Sequence, residues 1–174
     1  MANSSSIGLI KNTIIKELIK DETIVQAIGS STVDSKTPEK LINTHIFNYD
    51  QDPYTIKEVN TFLTVQVHIP ESYRMDNKIY VTPTLEIRII SHYRHMIVDN
   101  IPKVTDNRND YLSRLIDKKF NGRSDLGIGI IRLSSNIEGS YQSDYLYRIL
   151  TFVTTDLNNS PCNNSEEYIW LIMN

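Results

Sequence analysis

The sequence predicts a single α+β domain: an antiparallel or mixed β-sheet flanked by an N-terminal helix and a central helix, in the order α-β-β-α-β-β, followed by a C-terminal arm. Three observations predict it. Apolar residues recur at helical spacing in two separate stretches, and in other stretches they alternate with polar residues at a period of two. Clusters of Gly, Pro, Asn, Asp and Ser fall between them. With 174 residues, 40% of them hydrophobic and 22% charged, the chain can bury one sizeable core and fits one globular domain of about 100–200 residues. The domain is placed at residues 1–157, with a linker and apolar arm at 158–174.

In the first stretch, Ile7, Ile10, Ile14, Leu18, Val25 and Ile28 keep helical spacing up to Gly29, with Ser4 to Ser6 as candidate caps. Asp21-Glu22 interrupts the pattern, so a longer helix followed by a short one is expected. Ser30 to Glu39, rich in Ser, Thr, Lys and Pro, marks a loop. Leu41 to Tyr49 fits either state, and Asp50-Gln51-Asp52-Pro53 is a turn signal. From Thr61, Leu63, Val65, Val67 and Ile69 alternate with Thr64, Gln66 and His68 as in a half-buried strand, which Pro70 ends. Leu85, Ile87 and Ile89 alternate with Glu86 and Arg88 in the next strand. Glu71 to Pro83 is therefore a polar loop or hairpin tip between long antiparallel strands.

The stretch from Asn107 to Asn158 is the best specified. Tyr111, Leu112, Leu115, Ile116 and Phe120 share one helical face, while Arg114, Asp117, Lys118 and Lys119 lie elsewhere. Asp106 or Asn107 serves as the N-cap and Gly122 ends the helix. Ile130, Ile131 and Leu133 read as strand, and Asn136 to Asp144 as a polar, Gly-containing turn. Tyr145, Tyr147, Ile149, Thr151 and Val153 then alternate with Leu146, Arg148, Leu150, Phe152 and Thr154, a strand with substantial side chains on both faces. One face packs on the helix, and the other needs a partner.

After Thr154 the composition shifts. Asn158 to Ser165 is linker-like, and Tyr168, Ile169, Trp170, Leu171, Ile172 and Met173 form an apolar segment of strong β-propensity. Left exposed, such a segment is an aggregation hazard, so it is covered either as a last strand of its own sheet or as an arm added to a neighbouring subunit with Trp170 as anchor.

Charge and motifs exclude several function classes. A net charge of −3 and a pI near 5.8, with dispersed Lys and Arg, do not make the clustered basic surface that phosphate neutralisation needs. No apolar run approaches the roughly 20 residues of a membrane span, and Met1 to Ser6 lacks a signal-peptide pattern, so a cytoplasmic folding compartment is expected. Cys162 is the only cysteine, which rules out an internal disulfide and gives the sequons at Asn3, Asn158 and Asn163 little weight. His92 and His95 follow a strand, where an i, i+3 pair diverges, and His45 and His68 bring no carboxylate or cysteine spacing that would complete a metal site. Gly127-Ile128-Gly129 lacks the third glycine and the following helix of a dinucleotide fingerprint, and reads as a turn or close approach. Neither Ser134-Ser135 nor Cys162 has the setting of a nucleophile. No catalytic residue, metal ligand or cofactor is expected. Arg88, Arg132 and Arg148 lie in strands, where they either face solvent or form inter-subunit salt bridges that fix register.

The order of elements resembles the tail terminator (tail-completion) and related neck proteins of tailed bacteriophages. The residues that carry the resemblance are Asn107 to Leu112, Phe120-Asn121-Gly122, Gly127-Ile128-Gly129 and Tyr147 to Phe152. It covers Ile7 to Asn158, and the Ser/Asn-rich extension departs from it. The resemblance implies a structural virion protein, assembled in the host cytoplasm, that forms a hexameric ring at the end of the tail tube. That ring would stop tube polymerisation and present a surface to the head-side connector. The implied partners are identical subunits, the tail tube protein and the head-side neck protein, with DNA passing through the lumen unbound. Heterologous contacts that close into a ring need two dissimilar surfaces. Candidates are Arg88, Arg132, Arg148 and the arm residues Tyr168, Ile169, Trp170 and Leu171. Glu71, Tyr73, Arg74 and Asp76 in the long loop are candidates to face the tube or lumen. A head-closure or adaptor-proximal neck protein is the nearest alternative. A small metal-dependent enzyme built from the four histidines is a remoter one.

Overall fold

The computed structural model describes residues 4–31, 36–56, 58–68, 73–75, 78–80 and 83–154. The apolar arm, its linker, Glu71 and Asp76 lie outside the described residues. A first helix, α1 (Ser4–Ile19), is followed by α2 (Glu22–Ile28), and the break between them falls at Asp21. The Asp21 carboxylate accepts from the backbone N–H groups of Thr23 and Ile24, two donors that the first turn of α2 cannot satisfy internally. Gly29 closes α2 in the left-handed region at φ 68°, as a C-terminal glycine does.

A 3-10 turn at Pro38–Leu41 leads into β1 (Ile46–Phe47), and Pro53–Ile56 forms a single turn, α3. The stretch left open by its sequence pattern thus holds a two-residue strand, too short for periodicity to reveal. Two long strands, β2 (Thr61–His68) and β5 (Thr84–His92), pair antiparallel. The hairpin tip between them contains its own small ladder, β3 (Tyr73–Met75) with β4 (Lys78–Tyr80), which includes the backbone of Tyr73 and Arg74.

The central helix α4 (Arg108–Phe120) is capped by Asn107, whose side-chain oxygen accepts from Asp110 N at 2.9 Å. Gly122 lies just beyond it at φ 85°. Two strands follow, β6 (Ile131–Tyr141) and β7 (Tyr145–Thr154). The polar stretch assigned to a turn is therefore strand as far as Tyr141, and the turn itself is Gln142 to Asp144. An edge strand has no second neighbour to demand apolar alternation, and at Gly139 the Tyr147 ring lies where a Cβ would stand.

The five-stranded sheet runs β1-β2-β5-β7-β6, antiparallel except for the β1–β2 pair, so the expected mixed sheet is realised. The packing of α1, α2 and α4 falls on one face. Leu63, Val65, Leu85, Ile87, Ile89, Leu150 and Phe152 meet Ile14, Leu18, Ile24, Ile28, Leu112, Ile116 and Phe120 in a single core. On the other face a smaller cluster of Phe47, Phe62, Ile90 and Tyr145, with Tyr54 and Tyr147 against it, covers only the β1 end.

A buried cation ties the helical layer together. Arg108 is 1% exposed and donates to His95 O (2.6 Å), Ala27 O (2.6 Å) and Ile97 O (2.7 Å), binding the end of α2 and the chain entering α4 to one point. Gly29 is fixed as glycine by the same contact, since a Cβ there would collide with Arg108 Nη1. Replacing Arg108 by Met should lower stability by about 3–5 kcal/mol, because each buried acceptor left unpaired costs roughly 1–3 kcal/mol and relaxation recovers part. Gly29→Ala should cost about 2 kcal/mol or more through strain and collision. Urea-unfolding midpoints measure both, and a fall below about 1 kcal/mol for Arg108→Met would show that the cation is dispensable.

Candidate assembly surfaces

The residues singled out as interface candidates are positioned by the sheet in three different ways. Arg88 stands on the partly covered face of β5, where Nε donates to Glu86 Oε1 at 2.6 Å and Nη1 to Asp50 Oδ1 at 3.0 Å. Those carboxylates hold the Arg88 guanidinium pKa above its usual range despite the opposing effect of burial. Arg148 faces the helical layer, where Asp110 on α4 and Glu138 and Asn136 on β6 engage its guanidinium. Both cations thus have partners within the chain. Arg132, at the start of β6, is exposed and has no ion pair among the described residues.

The described part of the β6 outer edge is bonded near both ends and open between them. Gly122 N donates to Ile131 O (2.8 Å), Ile131 N to Arg123 O (2.9 Å) and Leu133 N to Asn121 Oδ1 (3.2 Å). A bulge follows between Leu133 and Ser135, with Ser134 Oγ donating to Thr151 O, so that serine pins a backbone irregularity. Tyr141 O accepts from the Tyr54 hydroxyl at 3.2 Å at the far end. Between these points, Ser135 to Ser140 pairs with β7 on one side and with no strand on the other among the described residues. Ile137 (57% exposed) and Tyr141 (39%) project beside this open edge on the partly covered face.

Next to them lies a cavity of about 360 Å³, floored by Ile90, Tyr147 and Ile149 and walled by Tyr141, Arg88 and the Asp50–Pro53 turn. Its surroundings are acidic. Burial raises the Tyr145 hydroxyl pKa first, and Tyr54, Asp144, Glu58 and Asp52 push it further the same way.

The four histidines do not converge on a common centre, and among the described residues no group of three or more His, Cys, Asp or Glu is placed to hold a metal ion. His68 ends β2 and is exposed, while His92 stacks on Tyr93 at 4.7 Å. His45 is buried with Nδ1 at 3.2 Å from Thr44 Oγ1, and Nε2 has no partner among the described residues. His95 belongs to a chain of polar contacts that the sequence did not announce. Asn109 Nδ2 donates to Leu146 O (3.1 Å), and Asn109 Oδ1 accepts from Ser91 (2.6 Å). Ser91 has spent its proton, so Thr61 donates to it at 2.8 Å, and Thr61 Oγ1 in turn accepts from His95 Nδ1 at 2.9 Å. The spacing of Asn109 from Leu112 and Ile116, on the buried side of α4, is the signal that could have pointed to it.

The glycines of Gly127-Ile128-Gly129 both take φ 81° with Ile128 fully buried between them, a backbone role in keeping with the turn reading. These features define a small α+β protein whose sheet presents a bare edge and an apolar, acid-bordered groove. The chain belongs to the YomW family, whose model matches residues 13–154. That membership is consistent with a phage protein. No curated protein matches the chain.

Burial and the Arg108 guanidinium lower the His95 pKa, against a backbone hydrogen bond to Gly29 that raises it, and burial lowers the His45 pKa. The folded state therefore binds fewer protons at these sites than the unfolded chain. Their stabilising contribution is complete above the unfolded value of 6.5 and is lost as pH falls through the lower folded values. Melting temperature should decline as pH drops from 7.5 to 5, and His95→Asn with His45→Gln should flatten that decline. An unchanged slope in the double variant would contradict the assignment.

Proposed function

We propose that the chain is a structural protein of a tailed-phage virion that forms a closed ring, hexameric by resemblance, at the head-proximal end of the tail. There it ends tube polymerisation and joins the tail to the head connector. The observation that carries this reading is the asymmetry of the sheet, with one face filled by helices and the other leaving Ile137, Tyr141 and the Ser135–Ser140 edge available. A bare edge beside an apolar patch is a place where another chain pairs. A ring requires heterologous contacts, in which one surface meets a different one and rotation closes the series. The β6 edge supplies one such surface, and the apolar segment Tyr168 to Trp170 with Leu171 supplies a dissimilar one.

Family membership supports the setting. The Asp50 and Asp52 side chains in the groove wall and the net charge of −3 suit a conduit through which DNA slides, because a basic lumen would retain phosphates. A head-closure neck protein shares this ring logic and differs in its position along the axis.

Sedimentation equilibrium and native mass spectrometry over a range of concentrations should show one closed oligomer and no open-ended series. Adding purified rings to polymerising tube protein should cap tube length. A chain that stays monomeric at every concentration and leaves tube length unchanged would refute the proposal.

A further inference from the structure

We infer that the Ser135–Ser140 edge of β6 receives the segment Glu166–Met173 of a second copy of this chain, added as a parallel strand with Trp170 over the groove beside Ile137. This rests on the ring reading and names the contact that joins one subunit to the next. Length is the first argument. The open edge runs six residues, from the bulge after Leu133 to the point where Tyr54 closes on Tyr141, about 20 Å at strand rise. The apolar segment Tyr168 to Met173 also has six residues.

Charge sets the direction. Glu166-Glu167 immediately precedes the apolar residues. Arg132, without an ion pair among the described residues, stands at the start of β6, whereas Asp144, Asp52 and Glu58 gather at the other end. A parallel strand brings the two glutamates to Arg132, and an antiparallel one carries them into the acids. Alternation then places Tyr168, Trp170 and Ile172 on one side of the added strand. The exposed Ile137 and Tyr141 and the groove floor of Tyr147 and Ile149 are on the partly covered face, so the aromatic set belongs there.

Route favours a second copy. The chain leaves β7 at Thr154, opposite Ile131, and the Asn121–Arg123 turn is bonded across the outer edge at that same end. A subunit's own arm would have to pass around this turn, and a neighbour's arm meets no such obstacle.

The test compares the wild type with full-length variants. Trp170→Glu with Ile172→Glu disables the arm, and Ser135→Lys with Ile137→Lys guards the edge with charges at exposed positions. Each variant alone should weaken self-association at least about tenfold while keeping wild-type cooperative unfolding. Mixed, the intact edge of the first and the intact arm of the second should pair into a heterodimer that grows no further. Arg132→Glu should weaken association, and Glu166→Lys with Glu167→Lys should restore it. If both variants assemble as the wild type does, the arm–edge contact is wrong and the ring stands on other surfaces. If the wild type is monomeric throughout, the ring reading fails. The contact is then read by titrating a fluorescent peptide of residues 166–174 into the arm-disabled chain. Binding to that chain but not to wild type would show that the arm packs in cis, and absence of binding would show that the edge takes no arm. Either result overturns the inference.

Discussion

The guanidinium of Arg108 is the point on which the helical layer of this protein is hung. It lies at the first turn of α4, and its donors reach carbonyl oxygens at the end of α2 and in the segment between β5 and α4. A buried charge is costly unless its hydrogen-bonding capacity is met, and here neutral carbonyls meet it. Burial lowers the guanidinium pKa, as expected, while Asp99 opposes the shift without an ion-pair contact. The fold can keep this cation only by holding α2, α4 and the intervening chain in one arrangement, so the same contact that costs desolvation also specifies geometry. Gly29 and the Thr61–Ser91–Asn109–His95 contacts extend that specification, one into the end of α2 and the other into the centre of the sheet.

Because α1, α2 and α4 are locked to one face, the opposite face and the β6 edge are what the described residues leave open. Arg88 and Arg148 are absorbed into intramolecular pairs, which stiffen the sheet but leave little charge to offer a partner. Arg132, Ile137 and Tyr141 have not been absorbed in this way. The division of labour follows from the sheet pleat. Alternate residues of β5 and β7 face the helices, their neighbours face outward, and the bulge at Ser134 resets β6 so that Ile137 falls on the outward side.

Much of the fold was legible in the sequence. The alternation in β2, β5 and β7 and the stripe from Tyr111 to Phe120 have the right periods because each element buries one face. Asp21 and Asn107 were readable as boundaries because caps use few residue types. The polar half of β6 was not, since an edge strand with one partner can afford Asn136, Glu138 and Gly139 where a central strand cannot. Arg108 was missed for a related reason. It stands at i−4 from Leu112 on the buried side of α4, but a charged side chain is ordinarily read as solvated, and the three carbonyls that hold it come from distant parts of the chain. The surface candidates were legible as residue types only, because which arginines keep free hydrogen-bonding capacity depends on tertiary neighbours such as Asp50 and Asp110.

An α+β domain rigidified from within and left open along one edge suits a part that is held by its neighbours, as the proposed ring would require. Averaged electron images of the intact virion, with the subunit labelled by a bound antibody fragment, test this most directly. The account predicts label in a ring at the junction of tail tube and head connector. Label elsewhere in the particle, or particles that lack the subunit altogether, would contradict it.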